Sequence, residues 1–272
     1  MVSRAHIGIL PGALLLLGAC GQSADDGGEP ASGAAPPAAE AVAPVAEAGL
    51  RERLAAPSRP QADRERDAGR KPAEIIEFLG IEPGMSVIDL VAASGYYTEV
   101  LAIATGPDGR VVAQNPDAVL EMRDGANEKA LSERLAGDRL PNVSRLDKNF
   151  QDMGPADGRF DAAITALNFH DIYNGAGPEA AVDVLETVYE MLEPGGVLGI
   201  IDHAGNADAD NASLHRIEKA RAIETAEAAG FVLEDESDVL ANPDDDRTQR
   251  VFAEGLRGNT NRFVLKLRKP AA

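Results

Sequence analysis

Val87-Ile-Asp-Leu-Val-Ala-Ala-Ser-Gly-Tyr-Tyr-Thr-Glu-Val-Leu101 is the stretch whose reading decides the fold. It opens as a buried strand, with apolar residues around one acid, Asp89. Ala92-Ala-Ser-Gly95 then makes a tight turn of small side chains, and Tyr96 begins a helix. A strand, a small-residue turn and a helix in this order aim backbone N–H groups and a helix N-terminus at one place. That geometry suits a nucleotide-like ligand.

Outward from this unit the chain keeps alternating. Pro72 to Gly80 reads as a short helix, with proline in its first turn and glycine at its end. Met85 to Leu90 is the first strand and Tyr96 to Thr105 the helix after it. Arg110 to Gln114 is a second strand, and Ala118 to Leu135 is helical with a break near Gly125. Asn142 to Leu146 and Phe160 to Ala166 are the third and fourth strands. Glu179 to Leu192 is a helix with Val182, Leu185, Val188 and Tyr189 on one face, and Val197 to Ile201 a fifth strand. Ser213 to Ala229 is a helix ended by Gly230, and Phe231 to Glu236 and Arg262 to Leu267 are two late strands. The alternation predicts an α/β protein with a mostly parallel sheet covered on both faces and a terminal antiparallel strand.

The opening stretch resembles the first motif of class I S-adenosylmethionine (SAM) methyltransferases, acidic-x-Gly-x-Gly-x-Gly. Asp89 stands at the acidic position and Gly95 at the last glycine, with Val91 and Ala93 where glycines are usual. Leu192-Glu-Pro-Gly-Gly-Val-Leu198 and Phe160-Asp-Ala-Ala-Ile-Thr-Ala-Leu-Asn168 are similar to the fifth and fourth strands of that superfamily. More narrowly, the chain resembles a family of predicted bacterial methyltransferases. The blocks are Asp67-x-x-Arg70-Lys-Pro72, Ser94-Gly-Tyr-Tyr97, Ala113-Gln-Asn115, Leu167-Asn-Phe-His-Asp171, Asp202-His203, Leu214-His-Arg216 and Asn242-Pro-Asp-Asp-Asp-Arg247. The resemblance implies a three-layer, Rossmann-like class I methyltransferase fold, S-adenosyl-L-methionine as cofactor and a small-molecule substrate. It assigns Asp89, Ala93, Ser94, Gly95, Asn115 and Asn168 to the cofactor, with Gln114 or Asn115 in the place that grips the ribose hydroxyls. Asp147 is in reach of the adenine amino group. The two lost glycines matter physically, because glycine reaches positive φ and lets a ligand approach the backbone.

The ends carry a separate message. Arg4, an apolar run from Ile7 to Leu17 and then Gly18-Ala19-Cys20 describe an export signal over residues 1–19. The run is shorter than the roughly 20 apolar residues a spanning helix needs. Leu17-Gly-Ala-Cys20 resembles a bacterial lipobox, which implies lipidation of Cys20, the only cysteine, and an outer-membrane lipoprotein facing the periplasm. Residues 20–61, rich in Ala, Pro, Gly, Ser and Glu, read as a tether, and residues 62–269 as one domain. A formal charge of −19 argues against nucleic acid.

Ligands of open α/β sheets sit beyond the carboxyl ends of the strands. After the fourth strand come Asn168, His170 and Asp171; after the fifth come Asp202 and His203. With His6 in the signal, the other histidines are His170, His203 and His215. His170, with Asp171 and His203, is the expected catalytic group, as base or substrate ligand, and Asp171 or Asp202 would orient it. His215 leans toward the same crevice. The spacing matches no compact metal motif, so no metal is expected. Asp244-Asp-Asp246 with Arg247 reads as a solvated turn. The expected function is SAM-dependent methyl transfer to a small molecule in the cell envelope. Export away from the cytoplasm, where SAM is made, supports an alternative: an inactive methyltransferase fold that binds a small molecule.

Overall fold

A computed structural model describes residues 49–271; the signal, Cys20 and the tether up to residue 48 lie outside the described residues. The strands are β1 (Ser86–Leu90), β2 (Arg110–Asn115), β3 (Val143–Asp147), β4 (Phe160–Ala166), β5 (Leu192–His203), β6 (Val232–Ser237) and β7 (Arg262–Arg268). They form one seven-stranded sheet in the order β3-β2-β1-β4-β5-β7-β6. β1 to β5 pair in parallel, and only β7 runs against its neighbours β5 and β6. The expected antiparallel strand is there, last in the chain but inside the sheet.

The helices are α1 (Leu50–Ala55), α2 (Gln61–Arg70), α3 (Pro72–Leu79), α4 (Tyr96–Thr105), α5 (Asp117–Leu135), α6 (Phe169–Ala176), α7 (Pro178–Met191), α8 (Asn211–Leu214) and α9 (Lys219–Ala228). One core gathers Ile76, Leu79, Val100 and Leu101 against Val87 and Ile164. The other gathers Leu185, Val188, Ala222 and Ala226 against Ile88, Leu198 and Leu265. A parallel sheet covered on both sides follows from strands that are apolar on both faces. The break expected near Gly125 is a kink in α5, with non-helical dihedrals from Met122 to Gly125.

Two expectations change. The first described helix, α1, starts at Leu50 within the stretch read as tether, and Leu54 and Arg59 are buried. The Arg59 guanidinium donates to the Leu54 carbonyl at 3.0 Å and to both oxygens of Asp67 at 2.5 and 3.1 Å. An alanine- and proline-rich composition concealed that ion pair. The single helix expected from Ser213 to Ala229 is divided into α8 and α9. His215 takes a left-handed φ of 55°, and Ile217 donates to the His203 carbonyl at 3.0 Å, extending the end of β5. Neither glycine nor proline marks this break.

Candidate active site

The strand order reverses between β1 and β4, so the crevice of this sheet opens beyond the carboxyl ends of those strands. The turn after β1 keeps glycine dihedrals without the glycines. Val91 has φ 53°, Ala93 φ 51° and Gly95 φ 82°. A left-handed conformation costs an L-residue roughly 1–2 kcal/mol, and a β-branched valine is a genuine outlier there. Amides from β2 hold the turn. Val91 N–H donates to Gln114 Oε1 at 3.1 Å and Ala93 N–H to Asn115 Oδ1 at 2.7 Å. Across the crevice, Asn168 Nδ2 donates to the Val91 carbonyl at 3.1 Å. Ser94 presents its carbonyl to Arg134 Nε at 2.8 Å, and Leu131 and Arg134 of α5 press on Gly95.

Asn115 and Asn168, expected at the cofactor, lie beside the turn with their amides engaged by its backbone. Asp89 is buried and accepts from Thr98 Oγ1 at 2.6 Å, tying β1 to α4. Burial pushes its carboxyl up to about 7, against the pull of Thr98, Arg70 and Arg134. Asp147 is paired with Arg145 at 2.8 Å on the far side of β2. Among the buried polar atoms without a partner in the described residues are Thr165 Oγ1 at the end of β4 and Tyr97 Oη in the first turn of α4. Leu90 is the register partner of Thr165 near the carboxyl end of the β1–β4 pair, while Tyr97 packs in the core with Ile76 and Leu101. Burial pushes the Tyr97 hydroxyl up to about 12, which keeps it a neutral donor. Neither residue was singled out as a ligand from sequence, because hydroxyls at strand and helix ends are common.

The second half of the site is a histidine cluster. α6 starts directly after β4 and carries His170 and Asp171 in its first turn, while β5 ends with Asp202 and His203. The sequence expectation that these meet holds: the rings of His170 and His203 are 5.6 Å apart, and those of His170 and His215 are 5.8 Å apart. Asp202 is fully buried and organises them. Its carboxylate accepts from the His170 and His203 backbone N–H groups, each at 2.7 Å, and from His170 Nδ1 at 2.7 Å. His170 Nε2 lies 3.3 Å from Asp171 Oδ1. Burial opposes charge on His170, yet Asp202 and Asp171 outweigh it and carry its pKa up to about 10. Near neutral pH the bare ring is thus a donor flanked by two carboxylates, a geometry for holding a ligand rather than for taking a proton. Burial pushes His203 down to about 3 and leaves it neutral, sharing a 2.7 Å hydrogen bond with Thr260 Oγ1. Thr260 escapes a sequence reading because it comes from the long stretch between β6 and β7.

The model of the protein-L-isoaspartate(D-aspartate) O-methyltransferase family matches residues 61–232, well over half of the sequence. The chain belongs to that family. The relatives include the ubiquinone/menaquinone biosynthesis C-methyltransferase of Ectopseudomonas mendocina, 23% identical over 70% of this chain and 65% of that protein. The enzyme of the same name from Legionella pneumophila is 29% identical over 47% of this chain and 46% of its own length. The chain thus spans about half to two thirds of the length of these curated relatives. Among solved structures, a SAM-dependent methyltransferase from Aquifex aeolicus superposes with a TM-score of 0.56 at 18% identity, over 77% of this chain and 95% of that one. The [4+2]-cyclase SpnF gives a TM-score of 0.56 at 17% identity, over 78% of this chain and 84% of its own. These likenesses establish the class I methyltransferase fold, and the cyclase among them shows that one fold carries more than one reaction.

Family and fold imply S-adenosyl-L-methionine as the cofactor. The residues present fit it. The turn after β1 follows a glycine path, and the buried Thr165 Oγ1 at the end of β4 has no partner among the described residues.

Proposed function

We propose that the chain is a methyltransferase of the cell envelope that moves the methyl group of SAM to a small molecule. The observation that carries this reading is the turn after β1, where Val91 and Ala93 occupy left-handed dihedrals they would avoid in an ordinary connection. Strain of this kind persists where a binding site needs it. SAM would supply an electrophilic methyl group on a sulfonium. Asp89 and Thr98 fix the root of α4, while Gln114, Asn115 and Asn168 fix the turn from both sides. His170, Asp171 and His203 stand on the acceptor side, and rate enhancement comes mainly from holding the acceptor in line. The relatives named for quinone biosynthesis support a small-molecule acceptor. A second reading, binding without methyl transfer, is favoured by the use of the Val91 and Ala93 N–H groups within the protein itself.

Calorimetry on the purified protein tests the cofactor. SAM or S-adenosylhomocysteine should bind, weakly because two N–H groups are already engaged. Ala93→Gly should bind as well or better, since it removes a methyl from the approach path. Its stability should change by less than about 1 kcal/mol, because relief of left-handed strain offsets the added chain entropy. Silence from both proteins at millimolar nucleotide would sink the assignment. Binding without transfer of labelled methyl to envelope extracts would favour the second reading.

The envelope address rests on Leu17-Gly-Ala-Cys20. Among the described residues no helix is long and apolar enough to cross a membrane. A lipid on Cys20 would tie the domain to the membrane through residues 20–49. Mass spectrometry of the membrane fraction should find a mature chain that begins with acylated Cys20. Recovery of the chain with Met1 intact in the cytosol would refute it.

A further inference from the structure

We infer that His170, Asp171 and His215 form a binding site for a divalent transition-metal ion. The inference is independent of whether SAM binds. Both histidine nitrogens already stand at the right spacing from the carboxylate. His170 Nε2 is 3.3 Å and His215 Nδ1 3.1 Å from Asp171 Oδ1, and the three atoms lie within 4.8 Å of one another. A four-coordinate metal with bonds of about 2.0–2.1 Å sets neighbouring donors about 3.3 Å apart. A cation would take the place of the proton shared between these nitrogens and the carboxylate.

The surroundings are those of a built site. His170 Nδ1 is held at 2.7 Å by Asp202 Oδ1, and this buried carboxylate is itself anchored by two backbone N–H groups. A carboxylate on the far nitrogen is what orients a metal-binding histidine and fixes which nitrogen offers its lone pair. His215 enters the cluster from the left-handed turn that ends α8. The next residue, Arg216, is fully buried and clamps that loop to Asp245 at 2.9 and 3.0 Å. Phe252 stacks edge-on at 5.0 Å against the His215 ring, giving the site an apolar wall. Two imidazoles and one carboxylate on one side of an ion leave the remaining coordination positions open. This donor set suits zinc or ferrous iron and not magnesium or calcium, which prefer oxygen ligands.

The test uses Zn2+, Co2+, Mg2+ and Ca2+, each added by itself. The purified full chain should take up one equivalent of Zn2+ that survives removal of excess metal. Titration with Co2+ should raise visible d–d absorption of matching stoichiometry. Asp171→Asn and His215→Ala should each weaken Co2+ binding by more than the roughly 10–100-fold typical of outer-shell changes. Both side chains are solvent-accessible, at 62% and 30%, so these variants should keep the circular dichroism of the parent. Uptake of Mg2+ or Ca2+ in preference, absence of stoichiometric Zn2+ and Co2+ uptake, or wild-type affinity in both variants would overturn the site. The cluster would then be a hydrogen-bonded charge network.

Discussion

Asp245→Ala is expected to cost about 3–5 kcal/mol of folding free energy, since removing one partner of a buried ion pair strands the other charge. Arg216 has no exposure, and its guanidinium donates to both oxygens of Asp245 at 2.9 and 3.0 Å. It also donates to the carbonyls of Ala204 and Gln249, at 3.0 and 3.1 Å. Asp245 in turn accepts from the Arg247 and Asn261 N–H groups at 2.9 and 2.7 Å. The pair therefore joins the loop after β5, the loop around Gln249 and the residue before β7's start. Urea unfolding of the variant and parent measures the loss. A difference under about 1 kcal/mol would show that the loop rearranges to let Arg216 reach water, as for a surface pair.

The second large effect is a pH dependence centred on Asp89. Burial lifts its carboxyl from 3.8 to about 7 in the folded chain. Below about pH 4 both folded and unfolded states hold the proton, and Asp89 contributes no penalty. Between about 4 and 7 the folded state binds more protons than the unfolded one, so stability falls as pH rises. Above 7 the penalty is complete, at up to about 4 kcal/mol. Asp89→Asn keeps an oxygen for Thr98 Oγ1, which donates at 2.6 Å, and removes the titration. The difference in stability between variant and parent should therefore grow in favour of the variant from pH 4 to 7 and then level off. Parallel curves for the two proteins across that range would show that Asp89 ionises in the folded state as easily as in water.

Much of the site was legible because it follows from where strands end. The pairing of β4 with β5 brings Ala166 opposite Ile201, so the residues after them, His170 and His203, had to share one edge. Motif spacing placed Asp89, Ala93 and Gly95 at the root of the crevice for the same reason. What the motif could not reveal is that Val91 and Ala93 keep positive φ, their N–H groups donating to β2 side-chain oxygens that hold a conformation their own sterics resist. Asn115 and Asn168 carried an ambiguous signal. An amide at a strand end serves a ribose or a backbone equally well, and only packing decides.

Asp244-Asp-Asp246 is the clearest misreading. A run of acids looks solvated, and Asp244 and Asp246 are exposed, but Asp245 is buried against Arg216. Alternation of apolar and polar residues cannot mark such a partner, because the match depends on a residue on another loop. The same holds for His170. Its type, its place and its orientation by Asp171 or Asp202 were readable, whereas the meeting of both carboxylates with one ring, which makes it a donor in the bare protein, depends on packing.

The sequence alone determined the α/β alternation, the strand ends and thus the edge on which the candidate site gathers, because hydrophobic period and turn chemistry are local properties. Tertiary structure decided that β7 lies between β5 and β6, that His215 joins His170 and Asp171, and that Thr260 holds His203. Those outcomes require segments distant in the chain to find one another. Burial of charge then sets their protonation, and burial exists only once the layers have packed.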